Sequence, residues 1–445
     1  MIIANPFIHR GPIRNAAYFC NRRQETSRTF ELLRQAQSVS IVGPRRIGKT
    51  SLLFYLANSA VLEQYGLAPE QHCFIYVNCE SCAALHQTEL YELLLQEMGE
   101  ALAEADIRLE RKPASPANGS YRSLEQAVRT VARRQIRLVF LLDEFEALSA
   151  NPHLDAQFFS GLRGLATRHQ VAYVTVSTKL LLELTYAQTS VLSSPFFNFF
   201  AQIRLRPFAR DEAELCLSDL AAKGGVTFTP ATIDFLLELA GPHPFYLQLA
   251  AYHAFAYLSF GNTTLEQENR KQVRRRFLAE VEPHWTFTWN SLSSEDQKHL
   301  ALLPLTQQTN LEAVERLRNV GVVLRVDNEI VFLSPTFREF ISKQSVPSVR
   351  QAPPIILDTE QRVALLYGSP LSLTPTEFEL LACLVTHAGQ VVSHREIETE
   401  VWPGEYVEDP DRLKTVLKTL RRALGEAAGC IQNVRGIGYR FLKTY

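Results

Sequence analysis

Gly43-Pro-Arg-Arg-Ile-Gly-Lys-Thr50 has the spacing GxxxxGK[ST] and sits between an apolar run and a helix-forming stretch. This is how a chain builds a phosphate cradle: the glycines permit a tight turn, and successive backbone amides converge on an anion at the start of the next helix. Gly43, Arg45, Arg46, Gly48, Lys49, Thr50 and Ser51 are therefore expected around a bound nucleotide. Lys49 should reach the terminal phosphates, and the Thr50 hydroxyl should hold Mg2+. Downstream, the apolar run 137–142 ends in Asp143-Glu144. One carboxylate can complete a metal shell while its neighbour orients or deprotonates a water, so Asp143 is assigned to the metal and Glu144 to the water. An acidic pair after a strand is common, and an exposed turn is the alternative reading; the upstream loop strengthens the chemical one. The expected catalytic set is Lys49, Asp143 and Glu144, and the expected cofactors are ATP and Mg2+.

A second concentration of chemistry lies near the other end. In residues 411–424, Leu413, Val416, Leu417, Leu420 and Leu424 form one helical stripe. Lys414, Thr415, Lys418, Arg421 and Arg422 fall mostly on the opposite side, giving one face to a core and one to a polyanion. Such a helix can enter a major groove and donate to guanine edges or phosphates. Alone, the same pattern describes a solvated charged face.

The elements that must position these groups can be read from periodicity. Strands are expected at 38–42, 73–77, 137–142, 171–176 and 203–205, separated by helical patterns, which favours a mostly parallel sheet covered on both faces. Residues 111–121 read as an exposed loop. After about residue 210 the pattern turns helical, with helices beginning at Arg210, Pro230 and Pro244. A further compact piece ends in a helix from Leu311 and two extended runs around Asp327-Asn328, a hairpin position. Pro347, Pro353 and Pro354 mark a linker, after which short strands are expected near Ile355 and Ala364.

Composition bounds the rest. A chain of 445 residues exceeds one ordinary core, and 46% hydrophobic with 21% charged residues is the balance of a folded protein. The net charge of -1 means that any attraction for a polyanion is local. No apolar run reaches membrane-spanning length and the start lacks a signal-like segment, so a soluble cytoplasmic protein without membrane partners is expected. Seven dispersed cysteines argue against a disulfide framework. Cys79 and Cys82 have metal-like spacing but no second pair nearby.

Over roughly residues 5–345 the motifs resemble the AAA-like, STAND-class NTPases of bacterial signalling proteins. The resemblance implies an N-terminal box touching the adenine, matched by Tyr18-Phe-Cys-Asn-Arg-Arg-Gln-Glu25, which places Arg22 at the nucleotide. Asn21 stands where a glycine is often found. It also implies a segment after the helical lid that reaches back to the phosphates, matched by Gly241-Pro-His-Pro244 and so assigned to His243. Read without the resemblance, that segment is a helix start. Ser177 and Thr178 suit either a phosphate sensor or a helix cap. Arg45 and Arg46 suit contacts to phosphates or to a neighbouring subunit, and Arg204 and Arg206 have no motif to place them.

Residues 355–445 resemble the OmpR/PhoB-type winged-helix DNA-binding domain. Leu371-Ser-Leu-Thr-Pro-Thr-Glu-Phe-Glu-Leu-Leu381 matches the entry to its first helix, and Val391 to Trp402 the second helix and its approach. Val434-Arg-Gly-Ile-Gly-Tyr-Arg-Phe441 matches the wing. The resemblance implies that the third helix reads a major groove and that a wing arginine, here Arg435, enters the minor groove. Lys414, Lys418, Arg421, Arg422 and Arg435 are the resulting DNA-binding set. Lys414 and Val416 replace the Asp and His often found mid-helix in the family.

The expected fold class is multidomain α/β plus winged helices: a P-loop NTPase parallel sheet with helical lid, a central winged-helix-like domain, and a C-terminal OmpR/PhoB-type winged helix. The expected divisions are 1–209 core, 210–264 lid, 265–345 winged-helix-like domain, 346–354 linker and 355–445 DNA-binding domain. The expected function is an ATP-controlled transcription regulator that binds double-stranded DNA and resets by slow Mg2+-dependent hydrolysis. A nucleotide-dependent homo-oligomer and a transcription-machinery or signalling partner accompany that reading. The alternatives are an ATP-dependent DNA motor or loader, and a nucleotide-binding scaffold with negligible hydrolysis.

Overall fold

The computed structural model describes residues 5–7, 10–105, 119–186, 195–258, 265–303, 310–346, 349–352, 355–367, 369–404 and 410–442. It divides into two compact units, Met1–Phe277 and Leu278–Tyr445. Most of the segment read as a loop at 111–121 lies outside the described residues.

The first unit is built on strands β1 (Val39–Val42), β2 (His72–Asn78), β3 (Arg137–Asp143), β4 (Ala172–Ser177) and β5 (Ala201–Arg204). They form one five-stranded sheet in the order β2-β3-β4-β1-β5, and every neighbouring pair is parallel. Burial follows sheet position. β1 and β4 are buried at every residue, as strands covered on both faces must be, whereas β2 at the edge alternates buried with half-buried positions. Both are mostly apolar, with Ser40, Thr175 and Ser177 buried among the apolar residues.

Helices Arg210–Lys223, Pro230–Ala240 and Pro244–Leu258 follow the sheet as the expected lid. Their boundaries are written locally: Glu212 accepts from the Ala209 amide, and the Thr229 hydroxyl caps the helix that starts with Pro230. The N-terminal segment is bound into this unit. Phe7 stacks on Phe228 with ring centroids 5.6 Å apart, and the Asn5 amide donates to the Tyr252 carbonyl at 3.0 Å.

The second unit begins within the long helix Gln267–Ser291, whose buried Trp285 lies edge-on to Phe337. Strands β6 (Val323–Val326) and β7 (Glu329–Phe332) form the hairpin expected at Asp327-Asn328. Both turn residues have positive φ, 46° and 69°, which is the backbone a two-residue turn of matching twist demands.

Next come β8 (Val349–Ala352), β9 (Ile355–Asp358), β10 (Val363–Leu366) and β11 (Ser369–Leu371), an antiparallel sheet in the order β11-β10-β9-β8. The segment read as a linker therefore carries a strand: Val349 to Ala352 pair in register with Asp358 to Ile355. Asp358 at the end of β9 is fully buried, and Lys298 from the helix Ser294–Ala301 reaches it at 3.1 Å.

Helices Pro375–Thr386, His394–Val401 and Pro410–Leu424 enclose a core with Leu380, Leu384, Ile397, Leu417 and Phe441 among its members. Strands β12 (Val391–Ser393), β13 (Ile431–Val434) and β14 (Gly438–Phe441) close the unit in the order β12-β14-β13. No helix among the described residues is long and apolar enough to cross a membrane.

Candidate functional site

Sheet order decides which loops meet. With β1 between β4 and β5, the carboxyl ends of β1, β3 and β4 open on one edge, where ligands of open α/β sheets bind. β1 runs into the loop 43–48, β3 ends at Asp143, and β4 ends at Ser177. The Gly43 amide donates to the Ser177 carbonyl at 3.2 Å and so fastens the loop to β4. A Cβ on Gly43 would lie 2.9 Å from the Leu205 carbonyl oxygen, and Gly48 has φ of +100°, so both positions exclude a side chain for different reasons.

Lys49 opens the helix Lys49–Leu56 and is buried at 5% exposure. Its ammonium donates to the carbonyls of Gly43 at 2.9 Å and Pro44 at 3.1 Å, folding back over its own loop. Burial pulls its pKa down, against the opposing pull of Glu144, Glu146 and Asp143.

Asp143 is buried and bonded on both oxygens: Oδ2 accepts from the Tyr76 hydroxyl at 2.8 Å and Oδ1 from the Glu144 amide at 3.1 Å. Glu144 sits at φ 50°, in the left-handed region, immediately before the short helix Phe145–Ser149. Burial, reinforced by Glu146, holds its carboxyl above the ordinary range while Lys49 opposes. A raised carboxyl pKa beside a cation suits a general base.

These walls enclose a cleft of about 280 Å³ that includes Arg46, Gly48, Lys49, Thr50, Ser51 and Glu144 from the expected set. Arg46 reaches across to the lid, its guanidinium 4.3 Å from the centre of the Phe245 ring. Residues that sequence reasoning did not single out complete the wall: Arg10 to Ile13, and Phe245 and Gln248 of the lid. The Ile13 amide donates to the Ser51 hydroxyl at 3.0 Å, so Ser51 also holds the N-terminal segment against the loop helix. No motif marked that segment.

Glu146 was also missed, although the spacing Asp-Glu-x-Glu was a signal. Its Oε1 accepts from the Thr178 amide and hydroxyl, which ties the end of β4 to the helix after β3. Its Oε2 is buried without a hydrogen-bond partner among the described residues.

Of the expected set, Gly43, Arg45, Asp143, Arg22 and His243 do not line the cleft. Arg22 is buried at φ 63°, pairs with Glu25 at 3.1 Å, donates to the Ile47 carbonyl at 3.3 Å and lies over the Phe208 ring. It braces the back of the loop. His243 is buried beside Tyr246, with Nδ1 unpartnered among the described residues. Burial, then Arg22 and Lys49, push its pKa down to about 3, so the ring is neutral.

The cleft offers the cation and hydroxyls that a nucleotide's phosphates would meet. Lys49 and the Thr50 hydroxyl face the cleft, whereas Asp143 stands behind it with both oxygens held by Tyr76 and the Glu144 amide. The orphaned Oε2 of Glu146 and Nδ1 of His243 leave polar capacity at side chains that act electrostatically on Lys49 or are acted on by it.

In the second unit, the helix Pro410–Leu424 buries Leu413, Leu417, Leu420 and Leu424 and leaves Lys414, Lys418 and Arg422 exposed. Lys414 pairs with Asp411 at 3.0 Å. Arg421 is half-buried: it donates to the Ile431 carbonyl at 2.8 Å and lies 6.0 Å from the Tyr439 ring centre, joining this helix to the base of the wing. Arg435 is exposed at the turn between β13 and β14, where Gly436 has φ of +79°. Gly438 has a separate reason to be glycine. A Cβ there would meet the Val392 carbonyl oxygen at 1.9 Å, because β14 passes close to β12.

Two family models match the chain: Novel STAND NTPase 2 over residues 32–307, and transcriptional regulatory protein, C terminal, over residues 368–441. The sensory transduction protein RegX3 of Mycolicibacterium smegmatis is 33% identical over 95 residues, which cover 21% of this chain and 42% of that protein. The phosphate regulon transcriptional regulatory protein PhoB of Klebsiella pneumoniae is 36% identical over 107 residues, covering 23% and 45%. The chain thus spans less than half the length of these curated relatives. A Walker-type ATPase of Pyrococcus abyssi shares the fold at 16% identity, with a TM-score of 0.55 over 76% of this chain and 99% of that one.

Proposed function

The chain belongs to the Novel STAND NTPase 2 family, and from that premise we propose that it is an ATP-controlled DNA-binding transcription regulator. One observation carries the reading. A phosphate loop with its acidic partners and a winged helix with an exposed basic face occur in one polypeptide.

Lys49 leaves the Gly43 and Pro44 carbonyls to meet the terminal phosphates, and its positive charge offsets the charge that develops on them. Thr50 and Asp143 would hold Mg2+, which supplies charge neutralisation when bound. Glu144 orients the attacking water and accepts its proton. The hydrolysis is slow and serves to end an ATP-bound state rather than to drive continuous work. Lys414, Lys418 and Arg422 present to the major groove of double-stranded DNA and Arg435 to the adjacent minor groove, while Arg421 supports the wing.

For nucleotide to control DNA binding, the DNA-competent and incompetent states must differ in their affinity for ATP, and by linkage DNA must alter ATP affinity by the same factor. Self-association that changes with the bound nucleotide is one form this difference takes. The test begins with selection of bound fragments from random DNA, then compares affinity for the selected site with ADP and with a non-hydrolysable ATP analogue. Equal affinities and equal assembly in the two states would remove nucleotide control and leave two independent activities.

A further inference from the structure

In the C-terminal unit the helix Pro375–Thr386 packs against His394–Val401, and three side chains of different chemistry meet at their junction. Cys383 and His387 are four residues apart, the spacing that puts side chains on one helical face, and His387 is the residue that caps the helix. Glu400 comes from the second helix. The thiol sulfur, a ring nitrogen and a carboxylate oxygen all lie within 4.8 Å of one another.

The surroundings of these groups suit a cation. Nδ1 of His387 lies 3.0 Å from the Cys383 carbonyl oxygen. A carbonyl only accepts, so Nδ1 carries the hydrogen and Nε2 keeps the lone pair, the tautomer that metal-bound histidines take when a carbonyl holds the other nitrogen. The Glu400 carboxylate lies within 4.8 Å of the Cys383 sulfur, close enough for one ion to reach both. Cys383 is buried at 1% exposure, His387 is half-buried and Glu400 is exposed. His387 and Glu400 line a cleft of about 520 Å³, which gives an ion an entry path and room for water. Glu396 lines the same cleft, but its carboxylate is engaged by the Ser393 amide at 2.8 Å and hydroxyl at 2.7 Å.

We propose that Cys383, His387 and Glu400 form a binding site for a Zn2+-class divalent cation that pins the first two helices of the DNA-reading unit together. Sulfur, imidazole nitrogen and carboxylate oxygen are the ligand types of a borderline-soft ion, and three protein ligands leave a fourth position for water. On binding, the S–H bond of Cys383 breaks, a sulfur–metal bond forms and the proton passes to solvent. The helix that carries Cys383 also packs against the reading helix Pro410–Leu424, so occupancy bears on how the basic face is held.

The full chain titrated with Co2+ tests this, since a thiolate-bound cobalt ion gives a charge-transfer absorption. The expected result is a band that saturates at one equivalent and is displaced by Zn2+. Cys383→Ser should remove it, and His387→Gln and Glu400→Gln should each weaken affinity at least about tenfold. Glu400 is exposed, so its variant folds normally and keeps the test independent of core damage; circular dichroism checks the others. Absence of the band in the unmodified protein, its persistence in Cys383→Ser, or unchanged affinity in both His387→Gln and Glu400→Gln would overturn the site.

Discussion

Glu146 grips Thr178 twice through a single oxygen, accepting from the backbone amide at 3.0 Å and from the hydroxyl at 2.8 Å. The end of β4 is thereby fixed to the helix that follows Asp143 and Glu144. Removing this clasp should disturb the position of the acidic pair more than the phosphate loop. Glu146→Ala is expected to lower ATP turnover about tenfold, roughly 1.4 kcal/mol of activation free energy, with little change in ADP affinity. Steady-state turnover and ADP calorimetry separate the two, and an equal loss in both would mean that Glu146 only supports the fold.

Lys49 and Glu144 should divide binding from chemistry. Lys49→Ala removes the cation facing the phosphates, and ATP affinity should fall at least about a hundredfold. Glu144→Gln keeps shape and hydrogen bonding but loses the base, so ATP should still bind while turnover drops by about a hundredfold or more. Calorimetry and single-turnover assays decide; normal turnover in Glu144→Gln would place the base elsewhere.

His243 should make the first unit sensitive to acid. Its pKa lies at about 3 in the fold against an ordinary 6.5. Above the ordinary value the ring is neutral folded or unfolded and contributes no pH dependence. Below it, the unfolded chain takes up a proton that the folded chain refuses, so stability falls as pH drops, by up to about 1.4 kcal/mol per unit. The window runs from 6.5 down to about 3. His243→Gln should flatten that part of the melting-temperature profile, and an unchanged slope would show that the acid response arises from other groups.

The basic residues of the reader should separate by role. Lys418→Ala should weaken DNA binding and reduce the magnitude of the salt slope by roughly 0.9, as loss of one phosphate contact does. Arg421→Met should instead lower thermal stability and misplace the wing, because Arg421 serves the Ile431 carbonyl. Binding measured against salt, alongside melting, tells them apart.

Gly438→Ala should be far more damaging than Gly436→Ala. At Gly438 the added carbon would lie 1.9 Å from a backbone oxygen, whereas at Gly436 it meets nothing and the cost is the positive φ, about 1 kcal/mol. Loss of DNA binding with an early melt is expected for the first and near-normal binding for the second.

Much of the candidate site was legible because loop, strand and acidic pair are contiguous runs, and because β1 and β4, buried throughout, are mostly apolar. What was hidden depended on neighbours distant in sequence. Thr178 meets Glu146 only because β3 lies beside β4, and Ile13 meets Ser51 across a fold that no local pattern describes. Prolines around 347–354 pointed to a linker, yet Val349–Ala352 gains a strand by pairing with β9. Arg421 stands four residues after Leu417, at the margin of the apolar stripe, so the wheel that sent it outward also contained the hint that it would lean on the wing base.

β1 is hydrogen-bonded along both sides, to β4 and to β5. Its loop therefore continues from an interior strand held by a ladder on each side. If nucleotide controls the chain as proposed, the lid carrying Phe245 and the segment from Arg10 to Ile13 are the walls that no ladder holds, the anvil being the loop and the hammer those two pieces.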